Sequence, residues 1–258
     1  MANLFDRLPG RDSRRRPRGV FLLPSLFTVG NLFCGYACIV HSMTGQLETA
    51  APFIGIAIIL DMLDGRIARL TNTTSAFGVE FDSLADVISF GAAPAILAFS
   101  WGLKDLGQIG WAAGFIFLSA AAMRLARFNI QTSTLVDKRY FIGMPTPAAA
   151  GVAAATVYAW PVLPDLHQTA AAITLMLVPA GLMVSTIRFR SFKTINFGWG
   201  RSYLPLLGFV LLVSFIATRP KITLVLIAYG YLVSGFVEMA VTKLRARREE
   251  QQRQSAQS

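Results

Sequence analysis

Long apolar runs separated by short polar connections dominate the sequence from about residue 20 to residue 242. Most runs approach the roughly 20 residues that a helix needs to cross the hydrocarbon core of a bilayer. The pattern predicts eight membrane-spanning helices, at residues 20–42, 50–69, 79–101, 106–127, 145–163, 168–187, 203–218 and 222–242. Because the connections are short, we expect an all-α, polytopic helical bundle that forms one transmembrane domain over residues 20–242.

The composition supports a membrane protein. Hydrophobic residues make up 54% of the chain and charged residues only 15%, whereas a soluble domain carries about 25% charge. The basic segment 1–19 has no cleavage-site pattern, so it is predicted to be a cytoplasmic juxtamembrane segment and not a signal peptide. Residues 243–258 are predicted to form a charged cytoplasmic tail.

The basic residues follow this layout. With both termini in the cytoplasm, all but three of the 24 Lys and Arg residues fall on the cytoplasmic side, the exceptions being Lys104, Arg219 and Lys221. Cytoplasmic loops of membrane proteins carry such an excess of Lys and Arg. The net charge of +10 therefore reflects topology, and we expect no nucleic-acid partner.

Four aspartates lie inside the predicted second and third spans: Asp61, Asp64, Asp82 and Asp86. An ionised aspartate at the centre of a membrane helix costs roughly 2.5–3.5 kcal/mol, so the four together need compensation. The spacings i,i+3 and i,i+4 place each pair on one face of its helix. A polar turn at residues 71–75 lies midway between the pairs and is suited to cap the next helix. In an antiparallel hairpin we expect the four carboxylates to meet at one depth below the cytosolic interface.

Clustered carboxylate oxygens are hard ligands that suit magnesium or manganese, with calcium as a further option. Two divalent cations would balance the charge of four aspartates and would suit phosphoryl chemistry. Buried ion pairs with Arg66 and Arg69 are a structural alternative, but two arginines do not balance four acids. A cation- or proton-coupled transporter is the alternative from another functional class, because intramembrane acids also mark ion pathways.

The order of these residues resembles a known family. Asp61-Met-Leu-Asp64-Gly65-Arg-Ile-Ala68-Arg69, followed by Gly78, Asp82 and Asp86, matches D-x2-D-G-x2-A-R-x8-G-x3-D-x3-D at every position. That pattern is the signature of the CDP-alcohol phosphotransferase family. Residues 24–35, 124–129, 143–147 and 191–193 resemble its phosphatidylserine synthase branch.

The resemblance implies a reaction. The donor would be CDP-diacylglycerol, the acceptor L-serine, and the products phosphatidylserine and CMP. Asp61, Asp64 and Asp82 resemble the metal ligands, and Asp86 resembles a residue shared between metal binding and general-base catalysis. The family also implies a homodimer in contact with membrane lipid, and we expect a multi-pass protein of the cell (inner) membrane whose active site faces the cytoplasm.

Substrate contacts are expected from two groups of residues. Those that resemble nucleotide-facing or pyrophosphate-facing positions of the family are Thr28, Asn31, Gly65, Ala68, Arg69 and Gly78. A cytosolic set offers cations and an amide for a serine carboxylate or a lipid phosphate, although its cations are also explained by topology alone. The expected members are Arg124, Arg127, Asn129, Arg188 and Lys193, with Arg190 beside them.

Two further interpretations stay open. A family member with another acceptor, glycerol 3-phosphate or an inositol phosphate, would share the signature. Glu238, a lone acid in the last predicted span, is interpreted as a structural hydrogen-bonding residue and not as a catalytic one.

Overall fold

The computed structural model describes residues 22–71, 75–132, 140–162, 165–190 and 204–255 of the chain. These ranges are almost entirely helical. The α-helices are α1 (Leu22–Met43), α2 (Leu47–Thr71), α3 (Ala76–Asp86), α4 (Ala93–Ala98), α5 (Gln108–Thr132), α6 (Thr146–Ala159), α7 (Asp165–Val184), α8 (Leu204–Thr218) and α9 (Pro220–Ser255).

The third helical rod is continuous but not uniform. It runs for 31 residues, from Ala76 to Leu106. Between α3 and α4 the backbone is π-helical at Val87–Ala92, and after α4 it is π-helical again at Phe99–Leu103 before a 3₁₀ turn at Lys104–Leu106. π-Helical turns inside α-helices are rare and often mark functional positions. The first of them begins directly after Asp86.

Small side chains let the helices pack closely. α1 packs against α2, α3 and α4, α6 packs against α2 and α9, and α5 packs against α7. Alanines of α6, among them Ala149, Ala150 and Ala153, are fully buried at the centre of this core. Small residues at helix interfaces allow the close backbone approach that drives association in lipid. α8 packs on α9 and leaves most of its large apolar side chains exposed.

The predicted helical membrane fold is confirmed at the level of its class. Each of the eight apolar runs coincides with helix over most of its length. By length and composition, five helices of the described chain could cross a membrane: Ser25–Met43, Ala76–Leu106, Gln108–Ile130, His167–Val184 and Pro220–Val237. The α6 and α8 helices, of 14 and 15 residues, are shorter. The count of eight spans therefore stays a prediction.

One feature departs from the all-α prediction. Strand β1 (Tyr140–Ile142) pairs antiparallel with strand β2 (Arg188–Arg190) in a two-stranded ribbon. The ribbon holds the segment before α6 against the segment after α7. Gly143, which follows β1, has a φ of +83°, and a Cβ there would lie 2.4 Å from the carbonyl oxygen of Met183. Only glycine permits this approach.

Candidate metal and phosphate site

Helix α1 forms hydrogen bonds with both helices that carry the aspartates, α2 and α3. Thr28 Oγ1 donates a hydrogen bond to Asp64 Oδ2 on α2, at 3.1 Å. Asn31 Nδ2 donates to Asp86 Oδ1 on α3, also at 3.1 Å. The two α1 side chains are three residues apart and therefore share one helix face. This face of α1 forms one wall of the acidic site and is buried with it.

Three of the four predicted carboxylates form a compact group. One carboxylate oxygen from each of Asp61, Asp64 and Asp82 lies within 4.8 Å of the others. Asp82 Oδ1 is buried and has no hydrogen-bond partner among the described residues. A buried oxygen without a partner carries a desolvation cost of about 1–3 kcal/mol. Hard oxygen donors with one unsatisfied buried atom are the chemistry that a divalent cation would complete.

Asp86 lies one helical turn beyond Asp82 and is buried. Its charge interacts with those of Asp61, Asp82 and Asp64, so it belongs to the same acidic site. It is not part of the three-carboxylate group, and its Oδ1 is bonded to Asn31. The side chain is thus held differently from the other three.

Among the described residues, no Lys or Arg forms an ion pair with the acidic site. In the described part of the chain, neither Arg66 nor Arg69 forms an ion pair with any of these carboxylates. The Arg69 guanidinium folds back over Gly65 and acts on Asp64 through its charge alone. The structural alternative of buried Asp–Arg pairs is therefore not what these residues adopt.

Arg124 is the cation buried beside the site. Only 8% of its surface is exposed. Its Nη1 donates to Thr146 Oγ1 at 3.0 Å, and its guanidinium lies 5.4 Å from the ring centroid of Phe128. Its charge interacts with Asp86 and Asp61. A buried guanidinium with this orientation is suited to receive a carboxylate or a phosphate.

Of the positions expected to face a nucleotide, Gly65 leaves space beside the acids. A Cβ on Gly65 would meet nothing closer than the Arg69 guanidinium, at 3.9 Å. Gly78 N donates to Ser75 Oγ at 3.0 Å in the N-cap of α3. The predicted capping role of the polar turn is thus confirmed for Ser75, while residues 72–74 lie outside the described ranges. Ala68 is partly buried on the α2 helix.

The remaining predicted residues divide into two groups. Asn129 Nδ2 donates to Ser83 Oγ at 2.9 Å, beside Asp82, so it ties α5 to the acidic helix. Arg127 donates to the carbonyl oxygens of Val184 and Ser185, at 3.4 and 3.5 Å, and so binds the C-terminal end of α7. Residues for which the described structure gives no side-chain placement are Arg188, Arg190, Lys193 and Glu238.

Comparison with known proteins agrees with this geometry. A sequence model of the family described as CDP-alcohol phosphatidyltransferase matches residues 21–187, more than half of the chain. This chain belongs to the CDP-alcohol phosphatidyltransferase family. The family prediction from the aspartate signature is confirmed.

Curated members of the family resemble the chain over most of its length. It is 40% identical over 220 residues to a CDP-diacylglycerol–serine O-phosphatidyltransferase of Helicobacter pylori, covering 84% of this chain and 91% of the relative. The enzyme of that name from Bacillus subtilis is 36% identical over 66% of this chain and 91% of the relative. An archaetidylserine synthase of Methanothermobacter thermautotrophicus is 36% identical over 65% of this chain and 69% of the relative.

Sequence reasoning missed several residues around the acidic site. Ser89 Oγ donates to the carbonyl oxygen of Asn31, at 3.0 Å. Ser83 accepts from Asn129, and Tyr231 of α9 lies near Arg124. The spacing i,i+3 from Asp86 could have suggested Ser89. Nothing local in the sequence connects Tyr231 with a residue more than 100 positions earlier.

Proposed function

We propose that this chain is a CDP-diacylglycerol–serine O-phosphatidyltransferase, which transfers a phosphatidyl group from CDP-diacylglycerol to the hydroxyl of L-serine and releases phosphatidylserine and CMP. The convergence of Asp61, Asp64 and Asp82 carries the chemistry, because it gathers hard oxygen ligands at the family signature. Relatives up to 40% identical are CDP-diacylglycerol–serine O-phosphatidyltransferases, which supports serine as the acceptor.

The proposal includes two divalent metal ions, magnesium or manganese, with calcium as an alternative. Asp61, Asp64 and Asp82 would hold one, and Asp86 would share in holding the second. The unsatisfied Asp82 Oδ1 and the absence of pairing arginines among the described residues support this assignment. Bound metal would supply positive charge for the pyrophosphate and for the departing CMP.

The side chains of the site have distinct proposed tasks. As the serine oxygen attacks the phosphorus of the phosphatidyl group, the Asp86 carboxylate takes the hydroxyl proton. The bond between that phosphorus and the bridging oxygen breaks, and CMP leaves with the electron pair. Arg124 would orient the serine carboxylate, supported by its burial and by its proximity to Asp86. Thr28 would hold Asp64 in place for the metal.

Other expected residues complete the site. Gly65, Ala68, Arg69 and Gly78 would face the nucleotide, as the open space beside Gly65 favours. Asn129, Arg127, Arg188 and Lys193 would complete the polar mouth for the acceptor or the lipid phosphate.

The proposed topology has eight spans, both termini in the cytoplasm, and the site facing the cytoplasm of the cell (inner) membrane. Residues 1–19 and 243–258 would flank the transmembrane domain 20–242. The distribution of Lys and Arg supports this orientation. Helices with exposed apolar side chains, such as α8, support contact with lipid and with a second copy in a homodimer.

An acceptor panel tests the function. Purified protein in detergent, with CDP-diacylglycerol and Mn²⁺ or Mg²⁺, is supplied in turn with labelled L-serine, glycerol 3-phosphate and an inositol phosphate. We expect phosphatidylserine and stoichiometric CMP from serine alone. Product from another alcohol and none from serine would assign a different acceptor. Cation-coupled flux in liposomes without CMP release would favour the transporter.

A further inference from the structure

Asn31 is a fully buried polar side chain at the acidic site, with no exposed surface. The family resemblance suggests a position near the CDP pyrophosphate. The structure instead joins Asn31 Nδ2 to Asp86 Oδ1 at 3.1 Å. Its nearest described partner is therefore the proposed general base, and the hydrogen bond occupies one of the two carboxylate oxygens of Asp86.

The backbone at Asn31 is fixed from the same side. Ser89, which is also fully buried, donates to the Asn31 carbonyl oxygen at 3.0 Å. One turn further along α1, a Cβ on Gly35 would lie 2.4 Å from Ser89 Oγ and 2.8 Å from Ser89 Cα. No other residue at position 35 would allow α1 to lie so close to the π-helical turn. The contact sets the distance between Asn31 and Asp86.

The π-helical segment Val87–Ala92 begins immediately after Asp86. Ser89 lies within it, three residues from Asp86, and both side chains contact α1. The helix that carries the base is thus held against α1 at two points on either side of the α-to-π transition. This arrangement restrains the Asp86 side chain more than helix packing alone would.

The second atom of the Asn31 amide gives independent information. Asn31 Oδ1 is buried and has no hydrogen-bond partner in the described part of the chain. A side chain retained only for packing would gain by losing this atom, because an unpaired buried carbonyl costs about 1–3 kcal/mol. An unpaired buried amide oxygen beside a reactive carboxylate is the pattern expected of a functional residue.

We propose that Asn31 is a positioning residue for the reaction: its amide holds Asp86 Oδ1 so that the other carboxylate oxygen is directed to the acceptor hydroxyl. This inference rests on the proposed function, in which Asp86 is the base. It replaces a nucleotide-binding role with one exerted through Asp86. The two roles differ in which kinetic constant they control.

The experiment compares Asn31→Ala and Asn31→Leu with Ser42→Ala in the full-length protein. Ser42 is a matched control, because it is buried on the same helix, donates to the Cys38 carbonyl oxygen at 2.7 Å, and lies about three turns along α1 from Asn31. We measure kcat, the KM values for CDP-diacylglycerol and serine, and the thermal midpoint of unfolding. A misdirected base costs on the order of 10- to 100-fold in rate.

We expect kcat to fall by about 30-fold in both Asn31 variants, with both KM values within about twofold of wild type, while Ser42→Ala keeps the wild-type kcat. A tenfold rise in the KM for CDP-diacylglycerol at unchanged kcat would assign Asn31 to the nucleotide and overturn the proposal. An unchanged kcat in Asn31→Leu would also overturn the proposal. So would a loss of activity that is explained by the unfolded fraction of the variant.

A failure of the proposed function can be distinguished from a failure of the Asn31 proposal. If the wild-type enzyme ignores serine and uses another alcohol, the acceptor assignment is wrong, and the same comparison is made with that alcohol through CMP release.

Discussion

Acidic side chains at the two ends of helix α2 lie in opposite environments. Glu48, in the first turn, pairs with Lys221 at 2.7 Å, and the two side chains are 59% and 43% exposed. The Lys221 ammonium also lies 5.5 Å from the ring centroid of Tyr158. Asp64, four turns further on, is only 4% exposed and bonds to the Thr28 hydroxyl without a paired cation.

This difference shows that the buried end of α2 lacks a paired cation among the described residues. An exposed acid is solvated by water and needs a cation only for local geometry, so such pairs contribute about 0–1 kcal/mol. Buried acids without direct partners raise the energy of the folded chain until something positive binds. We interpret the Glu48 end as ordinary surface electrostatics and the Asp64 end as an incomplete site that a divalent cation completes.

The largest expected effect comes from removing one carboxylate of the acidic site. Asp82→Asn should lower kcat on the order of 10³-fold, because it removes a proposed metal ligand and leaves its neighbours in place. The measurement is CMP release from CDP-diacylglycerol and serine. Asp105→Asn, in the exposed 3₁₀ turn at the far end of the same rod, is the control and should keep wild-type activity. Equal activities of the two variants would show that burial does not distinguish the acids.

A smaller loss is expected at the buried cation. Arg124→Met should reduce kcat/KM for serine by about 30-fold, because a charge-assisted hydrogen bond to the acceptor carboxylate contributes about 2 kcal/mol. The KM for CDP-diacylglycerol should change by less than about threefold. Arg66→Met, which removes an exposed arginine from the acidic helix α2, should leave both constants unchanged. A loss confined to the CDP-diacylglycerol constant would instead place Arg124 at the lipid phosphate.

The smallest effect is expected at the exposed end. Glu48→Gln and Lys221→Met should each change the free energy of unfolding by less than about 1 kcal/mol and leave kcat within about twofold of wild type. Thermal unfolding and the serine assay measure both quantities. A loss of activity comparable with that of Asp82→Asn would mean that the ion pair supports the site from a distance.

Part of this comparison was predictable from sequence. Charges inside apolar runs are conspicuous, and the spacings of Asp61, Asp64, Asp82 and Asp86 around one turn place the pairs at similar depth. These features depend on helix periodicity and chain direction, which are local. The apolar runs located the helices for the same reason, although α9 extends to Ser255, well past the predicted end of its run.

The features that the sequence did not predict depend on contacts between residues far apart in the chain. The bond between Asn31 and Asp86 joins positions 55 apart, and Ser89 reaches α1 over a similar interval. The π-helical turn after Asp86 has no signal in hydrophobic periodicity. The ribbon of residues 140–142 and 188–190 was missed because three-residue strands are too short to show alternation. Packing of α1 against α3 and the π-helical turn decided the contacts of Asn31 and Ser89.

Binding of Mn²⁺ to the purified protein without nucleotide tests the central claim most directly. Electron paramagnetic resonance reports free Mn²⁺, and the thermal midpoint of unfolding is recorded in the same titration. Wild type should bind Mn²⁺ saturably and unfold at a higher temperature as it binds. Asp82→Asn should show much weaker binding and little stabilisation, while Glu48→Gln matches wild type. Identical Mn²⁺ binding and stabilisation in wild type and Asp82→Asn would contradict the assignment of the buried carboxylates as a metal site.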